Sequence, residues 1–124
     1  MDETAIRNWS IRWPNANIGI ALAPAGLVAV DCDTTDAVKE AADLGLPDTI
    51  CRMSRCPAYI YKTPPGTPQL LKTHWGKSKK IDLLSTGYLV VGGEHRKGQE
   101  VYLDGDIIGP APNWTLKVLI KECR

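Results

Sequence analysis

The sequence has 124 residues, the length of about one domain, and its 44% hydrophobic and 23% charged residues are typical of a globular protein rather than a disordered chain. With 15 Lys and Arg against 14 Asp and Glu the net charge is +1, so the overall charge neither favours nor excludes a nucleic-acid partner. No apolar run approaches the ~18 residues that span a membrane, and from the polar, acidic N-terminal segment we expect no secretory signal. We therefore expect a single domain over residues 1–124, in the cytoplasm and without a membrane partner.

The four cysteines predict reduced thiols rather than disulfides or a zinc site. Cys51 and Cys56 are the closest pair, but their spacing is wider than that of a zinc-binding pair, and only two histidines are available as further ligands. Reduced thiols are also what a cytosolic location implies, because disulfides are rare there.

Apolar spacing and turn-forming residues predict the elements in chain order. The first is a helix over residues 2–13, with Trp9 and Trp13 on an apolar face that we expect to lie in the core. The next elements are predicted as strands over 17–22 and 27–33 with a turn over 23–26 between them, a helix from Thr34 to Gly45, strands over 49–54, 59–63, 81–85, 88–93 and 100–105, and a last helix from near Asn113. This order predicts an α+β fold with a mixed, mostly antiparallel sheet and flanking helices.

The apolar strand predicted over residues 27–33 ends in two carboxylates, Asp31 and Asp33. Alternate residues of a strand share a face, so these side chains point the same way, with their Cα atoms about 6.5–7 Å apart. Two like charges repel unless a cation lies between them, and Mg²⁺ and Mn²⁺ prefer oxygen ligands. The same two residues could instead end the strand and begin a helix cap, so this segment alone leaves both interpretations open.

Asp82 is the best candidate for a third carboxylate. It lies between Ile81 and Leu83 in another predicted strand, although an ordinary aspartate on an edge strand is the alternative. Together with Asp31 and Asp33 it could hold two divalent ions ~3.5–4 Å apart, an arrangement that suits phosphoryl or nucleotidyl transfer.

One segment, residues 72–80, combines basic and aromatic side chains. Its lysines could contact phosphate groups while its indole stacks on a base, as in proteins that bind single-stranded nucleic acid. A solvated loop is the alternative. The residues concerned are Lys72, Trp75, Lys77, Lys79 and Lys80.

Several stretches taken in order resemble a known family. They are "WPNANIGIAL", "GLVAVDCD", "LPDTICRMSRCPAYIYKTP", "KIDLLSTGYLVVGGEHRKGQEVY" and "IIGPAPNWTLKVLI", and the likeness covers about residues 8–120. Each stretch is a loose match by itself, and the ordered set is more specific. In this order they resemble the bifunctional DNA primase/polymerase (Prim-Pol) domain of the archaeo-eukaryotic primase superfamily.

The resemblance implies an RRM-like catalytic core and a nucleotidyl transferase of DNA primase/polymerase type that acts in phage, plasmid or mobile-element DNA replication by a two-metal mechanism. It implies that Asp31, Asp33 and Asp82 are the catalytic and metal-binding carboxylates, with Mg²⁺ or Mn²⁺ as the cofactor. The implied partners are nucleoside triphosphates, a single-stranded DNA template or primer, and a helicase or second primase subunit. The implied nucleotide-binding residues, at the second motif of the family, are Ser54, Arg55 and Tyr59.

The sequence departs from the family pattern at the second motif. Tyr59 stands where the family has a His, and the two glycines that normally precede it are replaced. Tyr can donate one hydrogen bond but carries no positive charge at neutral pH. We also expect the domain to be N-terminally short relative to the family. These departures lead to an alternative hypothesis, a degenerate noncatalytic module of the same fold that binds nucleic acid or a replication protein, or half of a split primase.

Overall fold

The computed structural model of the protein describes residues 3–12, 16–69, 73–75, 80–95 and 99–122. The helices are α1 (Glu3–Arg12), α2 (Leu22–Ala25), α3 (Thr35–Leu44) and α4 (Asn113–Glu122) within these ranges. The strands there are β1 (Ile18–Ala21), β2 (Leu27–Cys32), β3 (Cys51–Met53), β4 (Ala58–Lys62), β5 (Thr73–Trp75), β6 (Ile81–Leu84), β7 (Tyr88–His95), β8 (Gln99–Asp104) and β9 (Gly109–Pro110). The predicted α+β class is confirmed, and every predicted helix and strand overlaps one of these elements.

Three short elements are not predicted by the sequence. Helix α2 forms where a turn is expected, and it ends at Gly26, whose φ of 67° lies in the left-handed region that glycine adopts at little cost. Strand β5 lies within the basic segment and pairs with β6. Strand β9 has two residues and runs parallel to β4.

The strands form one curled sheet in the order β1-β7-β8-β3-β4-β2-β6-β5, with β9 beside β4. The described strand pairs are antiparallel apart from the pair of β4 and β9. Strand β2 therefore lies inside the sheet, between β4 and β6. Its apolar, β-branched sequence fits this place, because an interior strand is covered on both faces.

The two faces of β2 contribute to different apolar cores. Val28, Val30 and Cys32 face α3 and α4, where Ala41 and Leu119 complete the packing. On the other face Leu27 and Ala29 pack with residues of α2, β4 and β7, namely Leu22, Ala58, Ile60, Leu89 and Val91. Since strand residues alternate between faces, Asp31 falls on the same face as Leu27 and Ala29. The strand thus carries a carboxylate at the margin of the second core.

The expectation that Trp9 lies in the core is wrong. The helix forms over nearly the predicted range, but Trp9 is 48% exposed and Ile6 is 47% exposed. Helical periodicity identifies an apolar stripe without identifying what covers it, and the described residues leave this stripe half open. Trp13 lies outside the described residues.

Candidate metal centre and its surroundings

Strand pairing brings the three predicted carboxylates together. Asp31 on β2 lies directly opposite Asp82 on β6, and residues opposite each other in an antiparallel pair project to the same face. Asp33 follows β2, where its backbone N–H donates to the carbonyl of Lys80 at 3.0 Å. As a result, one carboxylate oxygen from each of the three aspartates lies within 4.8 Å of the others. We call these three residues the carboxylate cluster.

The members of the carboxylate cluster differ in their exposure. Asp82 is 1% exposed, whereas the side chain of Asp31 is 23% exposed. Strand β6 lies between β2 and β5, so the alternative in which Asp82 is an ordinary edge-strand residue is wrong. Three acidic groups this close repel one another, and a cation among them would relieve that repulsion.

Helix α3 begins directly after the cluster, and Thr34 is the residue that caps it. The Thr34 hydroxyl accepts a hydrogen bond from the backbone N–H of Ala37 at 3.1 Å. This bond satisfies one of the amide groups that a helix leaves unpaired in its first turn. The cap of α3 is therefore Thr34 rather than Asp33, whereas Asp31 does lie at the end of β2, as that alternative has it.

Removing this cap is expected to lower stability without disturbing the cluster. Thr34→Ala should decrease the free energy of unfolding by ~1 kcal/mol, the usual cost of losing a capping hydroxyl. Thr35→Ala is the matched control, since Thr35 is exposed and is the first residue of the helix rather than its cap. Urea unfolding measures both, and equal losses in the two variants would contradict the assignment.

The thiol of Cys32 lies between the two aspartates in sequence but on the other face of β2. It is 1% exposed and packs in the core beneath α3. Burial, reinforced by the negative charge of Asp31, raises the pKa of Cys32 to about 12. The side chain therefore stays a neutral thiol at physiological pH, and Cys32, Cys51 and Cys56 are free cysteines.

Arg52, which is not among the predicted site residues, provides a positive charge beside the cluster. Its Nη2 donates to Oδ1 of Asp31 at 3.1 Å, and its Nη1 lies 3.5 Å from the carbonyl of Val90. The residue is only 8% exposed. Its buried Nε has no hydrogen-bond partner among the described residues. Arg52 thus forms a largely buried ion pair with one member of the cluster.

The register of three neighbouring strands explains how Arg52 reaches Asp31. Arg52 on β3 lies opposite Ala58 on β4, and Ala58 lies opposite Asp31 on β2. All three side chains therefore share one face, and the arginine crosses β4 over the small side chain of Ala58. The strand spacing of about 4.8 Å makes this a reach of two strand widths, which suits the long arginine side chain. In the sequence, the only sign of this contact is an arginine between Cys51 and Met53 in a predicted strand.

Of the predicted nucleotide-binding residues, Arg55 lies next to the cluster. Its exposed guanidinium donates from Nη2 to the backbone carbonyl of Asp33 at 3.3 Å. Ser54, partly buried, occupies the bend between β3 and Arg55. The structure therefore brings a second arginine to the same end of β2 as the carboxylates, on a segment that solvent can reach.

Tyr59 lies on the other face of the sheet. Its partner on β2 is Val30, and its ring packs against the core beneath the helices. Burial, together with the nearby Cys32 and Cys51, raises the pKa of the Tyr59 phenol. The structure does not bring Tyr59 to the cluster, because the β4 residue that faces Asp31 is its neighbour Ala58.

Most of the predicted nucleic-acid contacts lie where the structure describes little. Lys80 is exposed, and its backbone carbonyl holds Asp33 as described above. Trp75 ends β5, where the backbone pairs with Ile81 of β6. Lys72, Lys77 and Lys79 lie outside the described residues.

None of the helices in the described part of the chain has the length and apolarity of a transmembrane segment.

Comparison with protein-family models identifies the chain. Residues 1–114 match the model of the bifunctional DNA primase/polymerase N-terminal domain, Prim-Pol. The chain belongs to the Prim-Pol family. Searches of curated proteins and of solved structures found no match. Prim-Pol membership indicates a primase/polymerase type of function in DNA replication, with nucleotide and DNA substrates.

Proposed function

We propose that this Prim-Pol chain is a nucleotidyl transferase of DNA primase/polymerase type, built on an RRM-like core and acting in phage, plasmid or mobile-element replication. The observation that supports this proposal most is the carboxylate cluster, in which one carboxylate oxygen from each of Asp31, Asp33 and Asp82 lies within 4.8 Å of the others. Family membership supplies the type of reaction, and the cluster supplies a place for it.

The cluster fits hard divalent cations such as Mg²⁺ and Mn²⁺. All of its donors are carboxylate oxygens, which these ions prefer. Two ligand oxygens on opposite sides of one Mg²⁺ are about 4.2 Å apart, since each bond is about 2.1 Å long, so the observed separations need only small side-chain adjustments. Bound there, divalent ions would activate a primer 3′-hydroxyl and stabilise the charge that develops at the α-phosphate of a nucleoside triphosphate.

The residues around the cluster would position the substrates. The pairing of β6 with β2 holds Asp82 opposite Asp31, so both side chains project to the same face of the sheet before any ligand arrives. Arg55 is exposed, and a guanidinium can bind a phosphate group through two parallel hydrogen bonds. Ser54 beside it can donate one more. Lys80, exposed next to the cluster, is the described member of the basic segment that we propose contacts the DNA strand.

Primer extension tests this proposal, with Asp33 as the residue to change. We expect wild-type protein to extend a primed template with Mn²⁺ and all dNTPs, and chelation of the metal to stop the reaction. Asp33→Asn should lower the extension rate and weaken Mn²⁺ binding by at least ~10–100-fold, because a direct ligand should matter at least as much as an outer-shell partner. Asp36→Asn is the matched control, an exposed aspartate in the first turn of α3. Equal extension by the two variants would refute the assignment.

A noncatalytic module of the same fold, or half of a split primase, is the second candidate. It is favoured by β4, which presents apolar Ala58 to the cluster and directs Tyr59 into the core. The same assays separate the candidates. Binding of single-stranded DNA without millimolar Mn²⁺ binding or extension supports the module. Extension that appears only with a second replication protein supports the split primase.

A further inference from the structure

We infer that Arg52 is a fixed internal cation of the carboxylate cluster and that it limits the substrate-free site to one divalent ion. The inference rests on the proposed function, because it presumes that the cluster binds metal. It goes beyond the proposed reaction by assigning a role to Arg52 and a number of bound ions to the substrate-free cluster.

Arg52 is held in place by the sheet. Strand β3 pairs on one side with β4 and on the other with β8, so the Arg52 backbone cannot move without breaking two ladders. The side chain lies flat across β4, with Nη2 on Asp31 and Nη1 near the carbonyl of Val90. With 8% of its surface exposed, the residue has little freedom to swing into solvent.

The negative charge of the neighbouring carboxylates explains the burial of Arg52 better than its hydrogen bonds do. The guanidinium leaves its buried Nε without a partner among the described residues, so its donors are not fully used. Burying an arginine is costly unless a negative charge compensates it. Asp31 supplies that charge directly at 3.1 Å. Asp33 and Asp82, which each have a carboxylate oxygen within 4.8 Å of one on Asp31, add to it.

This arrangement sets a charge limit. In the ionised form that binds metal, the three carboxylates together with the Arg52 guanidinium carry a net charge of −2, which one divalent ion neutralises. A second ion would leave an uncompensated charge of +2 in a partly buried site, where electrostatic interactions are stronger than in water. Arg55 and Lys80 also lie beside the cluster, but both are exposed and solvent screens their charges. Without Arg52, the three carboxylates keep their charge of −3 and can attract a second ion.

Counting bound Mn²⁺ by electron paramagnetic resonance tests the inference, since the signal of free Mn²⁺ falls as ions bind. The titration is made without nucleotide or DNA. We expect wild-type protein to bind one ion. Arg52→Gln should bind two ions, or bind its first ion about tenfold or more tightly, because a unit charge close to the site is removed. Lys39→Gln is the matched control. It loses an exposed positive charge on α3, where solvent screens the charge, and we expect one ion with a dissociation constant within about threefold of wild type.

Arg52→Lys and the wild-type count keep the inference testable if Arg52→Gln does not fold. Lysine retains the charge, so one ion is expected. Two ions bound to wild type or to Arg52→Lys would overturn the inference. One ion bound with equal affinity by wild type and by Arg52→Gln would also overturn it. Each of these results would leave the proposed metal site intact. If neither wild type nor Arg52→Gln binds Mn²⁺ at millimolar concentration, the proposed function fails and the inference fails with it.

Discussion

Asp82→Asn is expected to lower the rate of primer extension by about 10³-fold while leaving the metal-free fold at least as stable as wild type. The rate falls because the variant removes a buried negative charge from the centre of the cluster, and losing one fixed electrostatic group in an active site costs up to about that factor. Stability is retained because asparagine has nearly the same shape and relieves repulsion from Asp31, which lies directly opposite. The measurements are extension with Mn²⁺, calorimetric Mn²⁺ titration and urea unfolding with chelator.

Asp104→Asn is the control for Asp82→Asn, because Asp104 is also a strand aspartate but is exposed at the end of β8. It should leave extension, metal binding and stability unchanged. A marked loss of metal-free stability in Asp82→Asn, with extension retained, would mean that the Asp82 charge maintains the fold rather than the reaction. A gain in stability with activity lost is typical of a functional site whose like charges are kept at a cost to the fold.

The sequence predicts the proximity of the three aspartates well, because much of that prediction depends on local geometry. Alternation along one strand places Asp31 and Asp33 on a common face, and an apolar strand pattern around Asp82 places it within the sheet. The pairing of β2 with β6 joins segments that are distant in sequence. Only the ordered resemblance to Prim-Pol implied that they lie together. The prediction of the carboxylate cluster thus rests partly on strand geometry and partly on the family pattern.

The basic part of the site is harder to predict, because it depends on register between strands that are distant in sequence. Strand β4 is predicted over residues 59–63 and forms over Ala58–Lys62, a difference of one residue. Counting motif positions along the chain assigns Tyr59 to the nucleotide, but the pleat decides which side chain faces the cluster, and it selects Ala58. The same register carries Arg52 to Asp31, which spacing along the chain cannot reveal.

The open face of α1 illustrates a different limit. Periodicity locates the helix correctly, but burial of Trp9 depends on which element packs against it, and a period contains no information about the partner. Helix α3, in contrast, is predicted to begin at Thr34, and Thr34 forms its cap. Local chemistry is therefore more predictable here than packing.

Arg52→Met is expected to destabilise the metal-free protein by about 2–4 kcal/mol. Removing one partner of a buried ion pair leaves the other charge uncompensated, which costs about 3–5 kcal/mol when both are fully buried. The expected loss is somewhat smaller because the Asp31 side chain is 23% exposed and keeps some hydration. Methionine replaces most of the apolar part of the arginine side chain that crosses β4. The loss of stability therefore measures mainly the effect of removing the charge. Urea unfolding with chelator measures the free energy.

A double-mutant cycle separates the ion pair from simple packing. Adding Asp31→Asn to Arg52→Met removes the stranded charge, and we expect the double variant to regain at least half of the stability lost. Mn²⁺ should stabilise Arg52→Met more than it stabilises wild type, because the ion supplies the missing positive charge. Arg55→Met, at an exposed position, should lose less than about 0.5 kcal/mol. If the double variant is as unstable as Arg52→Met alone, the arginine acts by filling space over Ala58, and its electrostatic role in the carboxylate cluster is refuted.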